Sequence, residues 1–114
     1  MSNRTDVFTS VSGETAHVAI RGRIAHGEKS AGAVRKAVVQ CLEPTIRMLV
    51  IDIDGVSKLD AAGMGALAGA YSAAQSIGAR FELRNVPRFI RELLTITRLD
   101  TILHQAGTGP EIQQ

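Results

Sequence analysis

The stretch LVIDIDGVSKLDAAGMG, residues 49–65, changes character at its middle. Its first half continues an apolar, β-branched run over residues 48–53 that stops at Asp54-Gly55. A run of that kind suits a strand covered on both faces, so it predicts a central strand ending near Ile53. The second half sets Asp60 before a series of small and apolar residues that closes ahead of Gly78. Asp is a strong N-cap because its carboxylate accepts orphan N–H groups of the first turn. Gly after the last turn takes the left-handed conformation that ends a helix. A helix is therefore expected from Asp60 to Ile77, separated from the strand by residues 54–59.

Outward from this centre the pattern alternates. Upstream, Val7, Phe8 and Val11, then residues 17–20, give two short strand-like runs broken by the turn signal Ser12-Gly13-Glu14, with Gly22 ending the second. Residues 30–42 repeat apolar side chains at helical spacing (Ala33 or Val34, Ala37 or Val38, Cys41), and Pro44 lies just beyond. Downstream, Phe81 and Leu83 alternate with charged residues in a further strand. Pro87 opens a third helix as its first residue, with Phe89, Ile90, Leu93 and Leu94 as the apolar stripe. Residues 101–103 offer a last short strand. The order β-β-α-β-α-β-α predicts an α/β fold, a mixed sheet of four to five strands with helices packed on it, the later strands parallel. One domain is expected over residues 7–105, with 1–6 a flexible N-terminus and 106–114 a polar tail.

Composition narrows the function. With 114 residues the chain supports one hydrophobic core and no second domain. One Tyr, three Phe and no Trp make that core aliphatic. A net charge of +2 does not by itself argue for nucleic acid. The late arginines (Arg80, Arg84, Arg88, Arg91, Arg98) are interrupted by Glu82 and Glu92, and the two aromatics among them, Phe81 and Phe89, belong to the apolar sides of the expected strand and helix rather than to a base-stacking platform. They read as a solvated face. The single Cys41 excludes a disulfide framework and a cysteine metal site. MSNRTDVFTS has no apolar core of a signal peptide, and residues 61–70 are too short and too rich in Gly and Ala to span a membrane. A cytoplasmic protein with no direct membrane insertion is expected.

Three motifs in the central stretch were weighed for chemistry. Asp52-x-Asp54-Gly55 is similar to the nucleophile motif of haloacid dehalogenase-type, magnesium-dependent phosphatases. That chemistry needs a downstream Ser or Thr, a Lys and an acidic pair to complete the metal site. Only Asp60, Glu82, Glu92, Asp100 and Glu111 follow, no two of them adjacent. Gly63, Gly65 and Gly69 form a loose relative of a dinucleotide fingerprint, but residues 54–59 already intervene after the strand, where a tight turn is required. They are expected instead to let the helix sit close to its sheet. Asp52, Asp54 and Asp60 lack the third ligand and closing Glu of a calcium loop. No catalytic residue, metal or cofactor is expected.

The buried strand, D-G-V-S-K-L-D-A-A-G-M-G-A-L, a helix ending in Gly78, a strand followed by N-V-P, and R-E-L-L-T-I-T-R-L-D-T-I-L together resemble the STAS domain of bacterial anti-sigma-factor antagonists. The resemblance runs from about Thr15 to His104. It implies a non-enzymatic protein–protein interaction module in signalling and transcription regulation. The implied partner is an anti-sigma factor that is also a serine kinase, which phosphorylates a Ser or Thr just after the helix-start Asp. This chain carries Ala61 and Ala62 there, so the switch is missing. Where the family has a G-E-L-D-like segment, this chain reads Gly22-Arg23-Ile24-Ala25-His26, which reverses a charge. The expected partner surface is Arg23, Ala25, His26, Ser57, Lys58, Asp60, Ala61, Ala62, Gly63 and Met64. A second implied partner is the ATPase of an ABC-type lipid-transport complex.

Overall fold

The computed structural model describes residues 5–25, 27–99 and 105–106. Strands β1 (Thr5–Ser12) and β2 (Thr15–Ile24) form an antiparallel hairpin. Its two-residue turn has Gly13 at φ 61 and Glu14 at negative φ, the primed geometry that matches strand twist. β1 starts at Thr5, two residues before the expected boundary, because Thr5 and Asp6 pair with Gly22 and Arg21. Helix α1 (Glu28–Cys41), strand β3 (Met48–Leu59), helix α2 (Ala61–Ser76), strand β4 (Arg80–Arg84), helix α3 (Arg88–Ile96) and strand β5 (Gln105–Ala106) follow. The five strands lie in chain order, with β2 to β5 mutually parallel. The fold is thus the expected α/β domain with a mixed sheet. The last strand expected at residues 101–103 lies outside the described residues.

Period-two alternation assigns the faces. Ala16, Val18, Ile20 and Ile24 of β2, Leu49, Ile51, Ile53 and Val56 of β3, and Phe81 and Leu83 of β4 are buried on one face. The same apolar cluster takes Val34 and Val38 from α1, Leu67 and Ala70 from α2, and Ile90 and Leu94 from α3. Each large aliphatic removed from water contributes about 1.5–3 kcal/mol, so this single aliphatic core carries the fold. Tyr71 of α2 meets Phe81 edge to face, ring centres 5.8 Å apart.

All three helices therefore share one sheet face. On the other, Thr15, His17, Ala19, Met48, Asp52 and Glu82 are half-buried, and Val50 is buried apart from the main cluster. β3 is central as expected, but its apolar run does not mean helices on both sides. A second correction concerns its length: β3 continues six residues past Ile53. Asp54-Gly55 is not a terminator but the first of two irregularities. Ala19 and Arg21 oppose Asp52 and Gly55, and Gly22 and Arg23 oppose Val56 and Lys58, so β3 carries an extra residue each time. Gly22, at φ 93, lies within β2 beside these bulges and does not end it.

The helix ends follow ordinary capping chemistry. At the α2 C-terminus the Ala79 N–H donates to Ala74 O and the Gly78 N–H to Gln75 O, with Gly78 at φ 75, a Schellman closure. Pro87 stands one position earlier than expected. Its ψ of 151° is extended and its carbonyl accepts from the Ile90 and Arg91 N–H groups, so it caps α3 rather than beginning it. Phe89 is exposed, leaving Ile90 and Leu94 as the buried stripe.

Candidate docking surface

Asp60 organises one corner of the molecule. Its Oδ1 accepts from the Gly63 N–H at 2.8 Å, capping α2, and its Oδ2 accepts from the Gly27 N–H at 2.9 Å. Its own N–H donates to Ile24 O at 2.8 Å. One residue thus ties the end of β2, the loop leading to α1 and the start of α2 together. The loop anchor at Gly27 was not legible in the sequence. Asp60 and Gly27 stand 33 residues apart, and only the fold brings them into contact.

The register places several of the residues singled out in the sequence near that corner. Arg23 pairs with Lys58 and Ile24 with Leu59 across adjacent parallel strands, so the two cations stand side by side. Ser57 and Lys58 are exposed, Arg23 and Ala25 half-buried. The Ser57 hydroxyl donates to Gly22 O at 3.3 Å, stitching the bulged part of β3 to β2. Ala61 is exposed and Ala62 half-exposed at the first turn of α2. Gly63 and Met64 are buried instead, so they support the surface from beneath. His26 lies outside the described residues.

Gly63 shows why the corner is tight. A Cβ there would come within 2.6 Å of Leu59 Cδ1 and 2.7 Å of Ile24 Cγ2, so α2 seats directly on these side chains. The other two glycines of the motif do not bring the helix to its sheet. Both are exposed. A Cβ at Gly65 would meet only Arg35 Nη2, at 3.8 Å, and one at Gly69 would meet nothing within 4 Å. Gly69, Ala66, Ala70 and Ala73 face Arg35, Val38 and Val39 of α1 across a shallow groove of about 150 Å³. Ala61, Gly65 and Gly69 of α2 are exposed, and the last two lie toward Arg35 of α1.

The Asp52-Asp54 motif has a structural occupation. Asp52 Oδ1 accepts from the Asp54 N–H at 2.9 Å and Oδ2 from the Asn85 side-chain amide at 3.1 Å. Both oxygens fasten strand connections on the face away from the helices. Among the described residues no cluster of three or more His, Cys, Asp or Glu is placed to hold a metal ion. The late arginines are solvated. Arg84 pairs with Glu82 at 3.2 Å and Arg88 with Glu92 at 3.4 Å, exposed contacts that contribute little. No described helix is long and apolar enough to cross a membrane.

The family model described as Mlab, STAS domain, matches residues 7–104. No curated protein matches the sequence. An anti-sigma factor antagonist from Mycobacterium paratuberculosis is similar in structure, with a TM-score of 0.79 and 20% identity, over 95% of this chain and 90% of its own. An anti-sigma-factor antagonist (STAS) domain protein from Planctomyces limnophilus has a TM-score of 0.71 at 20% identity, covering 92% of both chains. The Bacillus cell fate determinant SpoIIAA in its phosphorylated form has a TM-score of 0.68 at 15% identity, over 90% of this chain and 91% of its own. At these identities the likeness is one of fold.

Proposed function

The chain belongs to the STAS domain family, and from that premise we propose that it is a non-enzymatic protein–protein interaction module, a regulator of the anti-sigma-factor-antagonist kind without the phosphorylation switch. The observation that carries this reading is the corner at Asp60. A capped helix start there presents small, exposed side chains just past the strand ends that carry Arg23 and Lys58. On the resemblance drawn from the sequence, Ala61 stands where the antagonists carry their phosphorylated hydroxyl. A methyl group cannot be phosphorylated. Phosphorylation elsewhere in the family would add nearly two negative charges at such a helix start and alter docking electrostatically. Here docking is constitutive, or governed by partner supply. Ser57, the nearest hydroxyl before the helix, keeps its bond to Gly22 O and does not replace the switch.

The partner surface is Arg23, Ala25, His26, Ser57, Lys58, Asp60, Ala61 and Ala62, with Gly63 and Met64 as its buried support. Its cations suit an acidic partner surface better than the basic one that the family's G-E-L-D-like segment would meet. The same observation favours a second reading, a STAS subunit docked on the ATPase of an ABC-type lipid-transport complex, because a permanent subunit needs no phosphorylation switch. Affinity capture from an extract of the source cells, read by mass spectrometry, separates the two. Recovery of a kinase-like anti-sigma factor supports regulation of transcription in the cytoplasm. Recovery of an ABC ATPase supports the transport complex.

A further inference from the structure

Strand β1 forms one edge of the sheet, and its first residue, Thr5, donates its hydroxyl to Arg23 O beside the Asp60 corner. Soluble proteins protect such edges with Lys, Pro, bulges or short strands, because a free row of N–H and C=O groups templates pairing with another chain. β1 has none of these defences. It runs eight residues as TDVFTSVS, its pairing with β2 is unbroken from Thr5–Gly22 to Ser12–Thr15, and Asp6 is its only charge. Two large apolar side chains are exposed on it, Phe8 at 56% and Val11 at 54%, on opposite faces of the sheet. At the other edge β5 spans two residues among those described.

We propose that β1 pairs antiparallel with β1 of a second copy about a two-fold axis, joining two five-stranded sheets into one continuous sheet. The occupant is a second copy, not a foreign strand, for three reasons. The first is self-complementarity. A two-fold through Phe8 sets Phe8 beside its own copy, Val7 opposite Thr9, Thr5 opposite Val11 and Asp6 opposite Ser10, so no like charges meet and the exposed aromatics cover each other. The second is closure. An isologous β1–β1 contact consumes the β1 edge of both copies, so the contact closes at a dimer and does not run on as a fibre.

The third is the helix layer. α1 packs over β1 and β2 together, with Arg35, Val38 and Val39 on its flank toward α2. Helical spacing puts Ala33, Ala37 and Gln40 on the opposite flank, with the exposed Lys29 and Lys36 bordering them on the solvent side. Strands about 4.8 Å apart would bring the two α1 helices to roughly 10 Å, within the range at which helices pack. Sheet and helix layer then continue across the axis in register.

Sedimentation velocity on the full chain, from low to high micromolar concentration, tests this. A concentration-dependent dimer is expected, and Phe8→Glu, at a site already exposed, should stay folded by circular dichroism and weaken the dimer at least tenfold. The register has its own test in a Cys41→Ala background. Antiparallel opposed residues lie about 4.5–5.5 Å apart at Cα, inside the span of a disulfide. Phe8→Cys should therefore cross-link two copies on mild oxidation, and Ser12→Cys should not. A monomer at every concentration, a dimer indifferent to Phe8→Glu, or a dimer that does not cross-link through position 8 overturns the proposal.

Discussion

At the scale of single residues, Asp60 has two separable tasks. As an N-cap it accepts from Gly63, a bond whose loss costs about 0.5–2 kcal/mol. Its second oxygen holds Gly27, a charge-assisted bond worth about 1.5–3 kcal/mol before relaxation. Asp60→Ala should therefore lower the urea midpoint by more than a lost cap alone. Asp60→Ser should recover the cap and leave the Gly27 anchor missing, giving an intermediate midpoint. A serine variant as stable as wild type would show the anchor to be energetically silent. Cys41 offers a second residue-level check. Burial pushes its thiol above the usual value of 9.0, opposed in small part by a backbone hydrogen bond. The native chain should thus resist iodoacetamide at neutral pH and react quickly once denatured. The sign of the linkage follows. The folded thiol keeps its proton where the unfolded one loses it, so this contribution to stability is complete below pH 9 and fades as pH rises beyond it.

At the scale of elements, α2 contains glycines of opposite meaning. Gly63→Ala drives a methyl into Leu59 and Ile24 and should destabilise by about 1–3 kcal/mol, offset in part by better helix propensity. Gly69→Ala meets open space and should stabilise by about 0.5–1 kcal/mol. Equal thermal shifts in the two variants would contradict the seating of α2 described above. The same helix shows what the sequence made legible. Asp60 and Gly78 marked both its ends because capping chemistry is local and leaves a residue signature. Three glycines at small spacing did not reveal which one touched the sheet, since that depends on rotation about the helix axis. The end of β3 is hidden in the sequence for a related reason. Asp54-Gly55 has the composition of a strand end, and only the register against Arg21 and Val56's partner Gly22 shows it to be a bulge. The Gly27 anchor, formed by a backbone N–H, had no side-chain signal at all.

At the scale of the molecule, the helices crowd one sheet face and the Asp52 motif lies on the other, with both carboxylate oxygens already engaged by Asp54 and Asn85. No magnesium-dependent release of phosphate from a generic aryl phosphate is expected. Hydrolysis that is lost in a folded Asp52→Asn variant would restore the enzyme reading. The Asp60 cap was legible in the sequence because capping is local, while the partner of the proposed corner was not, because exposure and charge define a class of surface and not a name. The central claim is that this corner binds a protein partner without a phosphorylation switch. The most direct test is the affinity of the captured partner for the wild-type chain and for Ala61→Glu, measured by titration calorimetry. Negative charge is tolerated at a helix N-terminus, so the variant should remain folded. The account predicts at least a tenfold loss of affinity, about 1.4 kcal/mol. Unchanged affinity in the folded variant would place the partner elsewhere and contradict it.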